Sequence, residues 1–332
     1  MRMRTMVRAG SVLAAVAAGV AAGVMPAGAT TEASWYPVLL QLPDGYPNAT
    51  GYLTGTDGKG GYAGEFAIGD TSQVVTWTNG RPTVRGVPDG YEFASVADEN
   101  GSGVVLGNAI DYDTGLSRGF TLDSHGFHLL PPPSGLSGSV DAVSINDRGD
   151  VVGAIGDQTN RQTVLWPALG SGPVVIPNKP DVYPRDLDQD GTILFNSDSG
   201  PFLWRSGVTT KLAKPGDYTY VSSIRNGSVV GRAGDHGYLW QTPGTPVELP
   251  GGSEAHEIGK SGLISGRLPI PNAPYGPLAI WQGTNPLGKL PLPTGFKGGS
   301  AYAIGDDDVI AGIVSNGPLD EGGVPVVWQR TP

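Results

Sequence analysis

One phrase of sequence recurs along nearly the whole chain. It is clearest at Ala142-Val143-Ser144-Ile145-Asn146-Asp147-Arg148-Gly149-Asp150-Val151-Val152-Gly153, followed by Thr163-Val164-Leu165-Trp166 and Pro173-Val174-Val175-Ile176-Pro177. Read locally, this is a strand, a tight turn, a second strand ending at Gly153, a loop, a third strand carrying Trp166, and a fourth strand ending at Pro177. The second-strand ending returns at Val104-Val105-Leu106-Gly107, Val229-Val230-Gly231, Leu263-Ile264-Ser265-Gly266 and Val309-Ile310-Ala311-Gly312. An aromatic third strand returns at Trp77, Phe120, Trp166, Trp204, Trp240, Trp281 and Trp328, at intervals of 36 to 47 residues. A unit this short cannot bury its own apolar face and must pack against copies of itself. Four short strands per interval is the make-up of a propeller blade. The chain is therefore expected to be all-β, a β-propeller of about seven four-stranded blades over residues 30–332.

The two ends of the chain complete each other. The last repeat stops soon after Trp328, with no room for a fourth strand. Trp35-Tyr36-Pro37-Val38-Leu39-Leu40-Gln41-Leu42-Pro43 reads as a fourth strand without a unit, much like Pro246-Val247-Glu248-Leu249-Pro250. Pairing the N-terminal strand with the last blade would close the ring and remove an exposed sheet edge. The other fourth strands end at Val87-Pro88, Leu130-Pro131, Ile176-Pro177 and Leu290-Pro291, as suits an outer edge whose end needs no ladder donor.

Residues 1–29 have the layout of a secretory signal peptide: Arg2, Arg4 and Arg8, an Ala/Val/Gly-rich apolar run, then Pro26-Ala27-Gly28-Ala29. The apolar run is short and weak for a spanning helix, so cleavage near Thr30 and a secreted, extracellular protein are expected. The chain has no Cys, which excludes disulfides, thiol nucleophiles and Cys-ligated zinc. Its net charge is −10, and the leader would take three positive charges with it. An acidic surface disfavours nucleic acid and anionic lipid as partners. The expected partner is an extracellular ligand, glycan or protein, with no membrane association after cleavage; a monomer is expected. The 53 Gly and 29 Pro fall between the apolar runs, where turns need them, and so signal loops rather than disorder.

The pattern Ala-x-x-Ile-Asn-x-x-Gly-x-Val-Val-Gly followed by a Leu-Trp strand resembles the HAF-type extracellular repeat. In place of that family's His-Ala-Phe triplet stand Thr163-Val164-Leu165, Gly200-Pro201-Phe202 and His236-Gly237-Tyr238. The resemblance covers essentially all of the chain after the leader. It implies export and β-repeats, and no catalytic residues come with it.

Candidate chemistry comes from three places. With first strands innermost, one position near the channel mouth varies between repeats as Val143, Arg185, His256 and Tyr302. Arg185, His256 and Tyr302 offer a cation, an imidazole and a phenol for a carboxylate or a sugar. The long loops expected on the same face, from Gly107 to Gly119, Gly266 to Pro277 and Gly312 to Pro325, add Asp111 and Asp113. Asp186-Leu187-Asp188-Gln189-Asp190-Gly191 matches the core of a calcium loop, with Asp186, Asp188 and Asp190 as candidate ligands, but it also matches an ordinary hairpin turn. Calcium is the one cofactor in view. Gly115-Leu116-Ser117-Arg118-Gly119 has the nucleophile-elbow spacing but is read as a loop before a strand, without the following helix. His125 and His128 would need a further ligand to hold zinc. The leading functional expectation is an exported, non-enzymatic binding module. The alternatives are a hydrolase or lyase acting on extracellular polysaccharide, and a structural cell-surface protein.

Overall fold

The computed structural model describes residues 34–157, 160–170, 172–177, 182–241, 244–270 and 276–331. The expected leader, residues 1–29, lies outside the described residues. Strand β1 is Trp35–Leu39. The first unit is β2–β5 (Gly51–Thr56, Gly61–Ile68, Thr71–Thr78, Arg81–Gly86). The second is β6–β9 (Phe93–Glu99, Val105–Asp111, Leu116–Asp123, Gly126–Leu129), and the third β10–β13 (Ser139–Ile145, Val151–Gly156, Gln162–Trp166, Val174–Ile176). The fourth is β14–β17 (Val182–Leu187, Ile193–Ser197, Phe202–Arg205, Val208–Lys211), and the fifth β18–β21 (Thr219–Arg225, Ser228–Ala233, His236–Gln241, Pro246–Glu248). The sixth is β22–β25 (Glu254–Ile258, Leu263–Arg267, Leu278–Gln282, Asn285–Lys289). The closing unit holds β26–β28 (Gly298–Ile304, Ile310–Ser315, Val324–Arg330). Among the described residues, a single 3-10 turn at Leu319–Glu321 is the only helical element.

Each unit is a four-stranded antiparallel sheet in sequential order. The second and third are also joined by one parallel bridge between Arg118 and Val140, giving an eight-stranded sheet. The fourth strand of the closing unit is β1, with Trp35 opposite Arg330 and Leu39 opposite Val326. Of the segment Trp35–Pro43, the ladder takes Trp35–Leu39. Past the last pair, the Leu40 amide still donates to the Pro325 carbonyl at 3.0 Å, and the side chains of Leu40 and Leu42 pack into the seam with the first unit. The edge that an unclosed unit would expose is thereby paired.

The core is distributed along the seams between units. Leu53, Phe66 and Trp77 of the first unit pack with Ala311, Ile313 and Val327 of the closing unit. Val230, Leu239 and Leu249 of the fifth pack with Ala255, Ile258 and Trp281 of the sixth. The remaining seams carry their own clusters.

The Val-Val-Gly signature acquires a physical reason. Its Gly does not end the second strand but lies inside it, facing the first strand at very close approach. A Cβ on Gly153 would stand 2.2 Å from the Asp141 carbonyl oxygen, and one on Gly312 1.9 Å from that of Ser300. The second strands consequently run on, and two of the expected long loops contract. The one after Gly107 becomes residues 112–115, between β7 and β8, and the one after Gly312 becomes residues 316–323. Ser117 accordingly sits within strand β8 rather than in a loop.

The third-strand Trp is a peg between units. Trp166 Nε1 donates to the Pro131 carbonyl at 2.7 Å, Trp328 to Pro291 at 2.7 Å, Trp281 to Pro250 at 3.2 Å, Trp240 to Ala213 at 2.8 Å and Trp77 to Gln41 at 2.8 Å. Each acceptor lies just past the fourth strand of the preceding unit, which is where the repeating Leu-Pro falls. Those prolines therefore follow the edge strand instead of ending it. Phe120 is not the equivalent of the Trp residues. It pairs with Gly107, whereas Leu122 pairs with Val105, in the register that Trp166 keeps with Val151.

Candidate functional site

The first strand of every unit carries one irregularity, and it falls at the same place in each. The register with the second strand slips at Thr54, Ala97, Val143, Arg185, Ser222, His256 and Tyr302. A bulge sets an extra residue beside its successor and re-aims side chains. Here the bulges turn consecutive residues such as Ala97-Asp98, Arg185-Asp186 and Tyr302-Ala303 towards a common channel. The sequence reading found Val143, Arg185, His256 and Tyr302 at this position. It missed Ser222, although Ile224 two residues on keeps the repeat. It also missed Thr54 and Ala97, where Thr56 and Glu99 replace the apolar landmark.

Two cavities meet at this layer, sharing Arg185, Ser222, Glu257 and Tyr302. The first, of about 450 Å³, gathers the three expected residues Arg185, His256 and Tyr302, and adds Tyr220, Arg232 and Glu254. The Arg185 guanidinium lies 5.2 Å from the centre of the Tyr220 ring and, among the described residues, makes no ion pair. His256 Nε2 is 3.0 Å from Glu254 Oε1, and buried Arg267 brings its Nε to 3.6 Å from the same oxygen. The neighbouring His256, then the two arginines Arg267 and Arg232, hold the Glu254 carboxyl below its ordinary range despite partial burial. Burial pushes the Tyr302 phenol up, and its ring meets that of Tyr52 edge-on at 6.0 Å. Glu254 is thus engaged by His256 and Arg267, while Arg185 lines the cavity without an ion-pair partner among the described residues.

The second cavity, of about 280 Å³, opens between the first hairpin turns. Its floor is a belt of acids and hydroxyls from successive units. Ser144 Oγ donates towards Asp98 Oδ2 at 3.0 Å and Asp186 Oδ1 at 2.8 Å. Ser223 Oγ reaches Asp186 Oδ2 at 3.1 Å, and the Ile224 amide donates to the same oxygen at 2.7 Å. These carboxyls are surrounded by protein and only partly open to the channel. Burial pushes Asp98 up to about 7 and raises Asp186. Burial also carries Glu257 well above its ordinary range, with repulsion from Asp186 adding and Arg185 opposing. Glu99, 9% exposed, has an Oε2 with no hydrogen-bond partner among the described residues, and burial pushes it up to about 8. The Ser144 hydroxyl has a single proton and so can donate to only one of the two carboxyls at a time. The belt was invisible as a cluster in sequence, because its members are some 40 residues apart.

The other candidates go elsewhere. Asp111 closes β7 and caps the following turn, accepting from the amides of Asp113 and Thr114 and from the Thr114 hydroxyl. Asp111 and Asp113 line neither channel cavity, because the strand continues past Gly107 and leaves only a short turn. Asp186, Asp188 and Asp190 do not converge as calcium ligands would. Asp186 belongs to the belt, Asp188 accepts from the amides of Asn226 and Gly227, and Asp190 holds the Thr192 amide and pairs with Arg205. This is the hairpin-turn reading, with the carboxylate of one unit tying the turn of the next. Ser117 bonds to Asp141, which also pairs with Arg161. His125 and His128 flank Asp123 on an exposed turn. Among the described residues, no three His, Cys, Asp or Glu are placed to hold a metal ion.

No family model matches the chain, and no curated protein matches it. Solved structures do. A streptogramin B lyase superposes with a TM-score of 0.57 at 15% identity, over 90% of this chain and 98% of the other. YCF48 bound to D1 peptide gives 0.52 at 10% identity, over 90% and 97%. An oligogalacturonate lyase in complex with manganese gives 0.52 at 12% identity, over 90% and 98%. These neighbours are β-propeller proteins, and at such identities the likeness is one of fold. Among the described residues, no helix is long and apolar enough to cross a membrane.

Proposed function

We propose that the chain is an exported binding module that seats a carboxylate-bearing saccharide at the channel mouth between Arg185, His256 and Tyr302. One observation carries this reading: Arg185, without a carboxylate partner among the described residues, faces a cavity shared with His256, Tyr220 and Tyr302. A guanidinium receives a carboxylate through two parallel N–H donors, and the tyrosine rings offer flat surfaces to sugar faces. Glu257 lines the same cavity, and burial raises its carboxyl well above the ordinary range, so it opposes an anionic ligand less than an ordinary carboxylate would. Calorimetry with trigalacturonate and with its methyl ester tests the reading. The acid should bind, the ester should bind at least about tenfold more weakly, and Arg185→Ala should remove the difference. Equal binding of acid and ester would refute it. Export is tested separately by sequencing the secreted form, which should begin near Thr30.

A second reading is a lyase acting on extracellular polysaccharide. It is supported by the placement of His256 and Tyr302 beside the same Arg185, since elimination next to a carboxylate needs a base and charge neutralisation together. Appearance of an unsaturated uronate on incubation with polygalacturonate would favour it over simple binding.

A further inference from the structure

The peg rule fails at one seam, and a cavity stands there. Trp204 occupies the peg position of the fourth unit, opposite Ile193. The matching acceptor past the third unit's last strand is the Pro177 carbonyl. Among the described residues, the Trp204 indole makes no such bond, and its side chain is only half-buried, whereas Trp240 and Trp328 are fully buried. The second-strand Gly is also replaced in this unit, by Phe195. Its ring stacks on that of Phe202, with centroids 4.8 Å apart and planes 13° from parallel. Two aromatic rings therefore stand where most units bring the backbones of adjacent strands together. Between Ile176 and Pro177 on one side and Phe195, Phe202 and Trp204 on the other lies a cavity of about 320 Å³.

Two lysines contribute to the lining of this cavity. Lys211 sits directly across the ladder from Phe202. Lys214 lies over Gly200, where a Cβ would come within 2.7 Å of its Cδ, so the absence of a side chain there lets the lysine stem fold across the rim. Both lysines line the cavity and are exposed, and among the described residues neither is in an ion pair. Apolar walls with a few convergent polar groups are the make-up of a small-molecule site. Stacked aromatic walls call for a flat apolar body, and two lysines in the lining call for an anion on it.

We propose that the seam between the third and fourth units is a binding site, distinct from the central channel, for a small aromatic carboxylate. Its ring lies against Phe202 and Trp204, and its carboxylate meets Lys211 and Lys214. The defect in the repeat has a role under this assignment: the ligand supplies the packing that the missing peg leaves out.

The test uses the intact chain and 2-naphthoate as probe, with naphthalene-2-carboxamide as its neutral counterpart, read by saturation-transfer NMR and calorimetry. The acid should bind more tightly than the amide. Thr209→Trp places an indole on the exposed strand opposite Trp204 and should weaken both probes by about tenfold or more, with an unchanged melting temperature. Lys211→Ala combined with Lys214→Ala should weaken the acid by about threefold or more and leave the amide unchanged. Arg185→Ala, at the channel, should change neither. Absence of binding at millimolar probe, binding indifferent to Thr209→Trp, or binding lost in Arg185→Ala would each overturn the assignment.

Discussion

Removing residues 1–43, so that the chain begins at Asp44, should destabilise the whole ring and not merely shorten a tail. The loss can be followed atom by atom. Five ladder pairs between β1 and β28 disappear, leaving the backbone of Val324–Arg330 as an open edge. Trp35, 8% exposed, and Leu40, 6% exposed, leave two different seam clusters, at about 1.5–3 kcal/mol for each large side chain. The Trp77 indole loses its acceptor at Gln41, and a buried donor left unpaired costs about 1–3 kcal/mol. Together these come to about 4–9 kcal/mol, against about 5–15 kcal/mol of net stability for a typical domain. Urea denaturation followed by Trp fluorescence measures the loss. A synthetic peptide of residues 34–43, added in excess, should restore much of it, because the strand then binds to the folded ring by mass action. A truncated chain that unfolds within about 1 kcal/mol of the full-length protein would refute the closure argument.

Two further perturbations follow from the same geometry. Trp328→Phe should cost about 2–3 kcal/mol in urea denaturation, since it leaves the Pro291 carbonyl without its donor and a gap in a closed seam, while Trp204→Phe should cost less than about 1 kcal/mol. Equal costs would contradict the peg. The acids buried along the channel set a direction with pH. Asp98 is pushed up to about 7 and Glu99 to about 8, so the folded state holds protons that the unfolded chain has released. Stability should therefore rise as pH falls from about 9 through these values towards the ordinary carboxylate range near 4. Calorimetric melting should be higher near about pH 5.5 than near about pH 8.5, and Glu99→Gln should flatten the difference; a profile that rises towards alkaline pH would contradict this reading of the belt.

The architecture was legible because each element of the repeat has a local cause. Gly153 and its counterparts mark a backbone contact too close for a side chain, and Trp166, Trp240, Trp281 and Trp328 mark seams. The closing strand was legible from what the last repeat lacked. Boundaries were misplaced where one residue type has two uses. A Gly that reads as a strand end is instead a point of close approach inside the strand, and Phe120 is aromatic for a different register position. At the site, Arg185, His256 and Tyr302 stood out because they break a repeated position. Asp111 and Asp113 were placed on a long loop because the second strand was read as ending at Gly107, whereas it runs on to Asp111 and neither residue lines the channel cavities. The belt of Asp98, Ser144, Asp186, Ser223 and Glu257 is assembled by ring closure from five units, so nothing within any one repeat announces it.

The most direct test of the binding proposal is the position of the ligand itself. In crystals of the chain grown with trigalacturonate, the account predicts a carboxylate of the sugar within hydrogen-bond distance of the Arg185 guanidinium, with His256 and Tyr302 lining its ring. Density confined to the hairpin-turn mouth near Asp147 and Asp306, or to the outer edges of the sheets, with the Arg185 cavity holding only water, would contradict it.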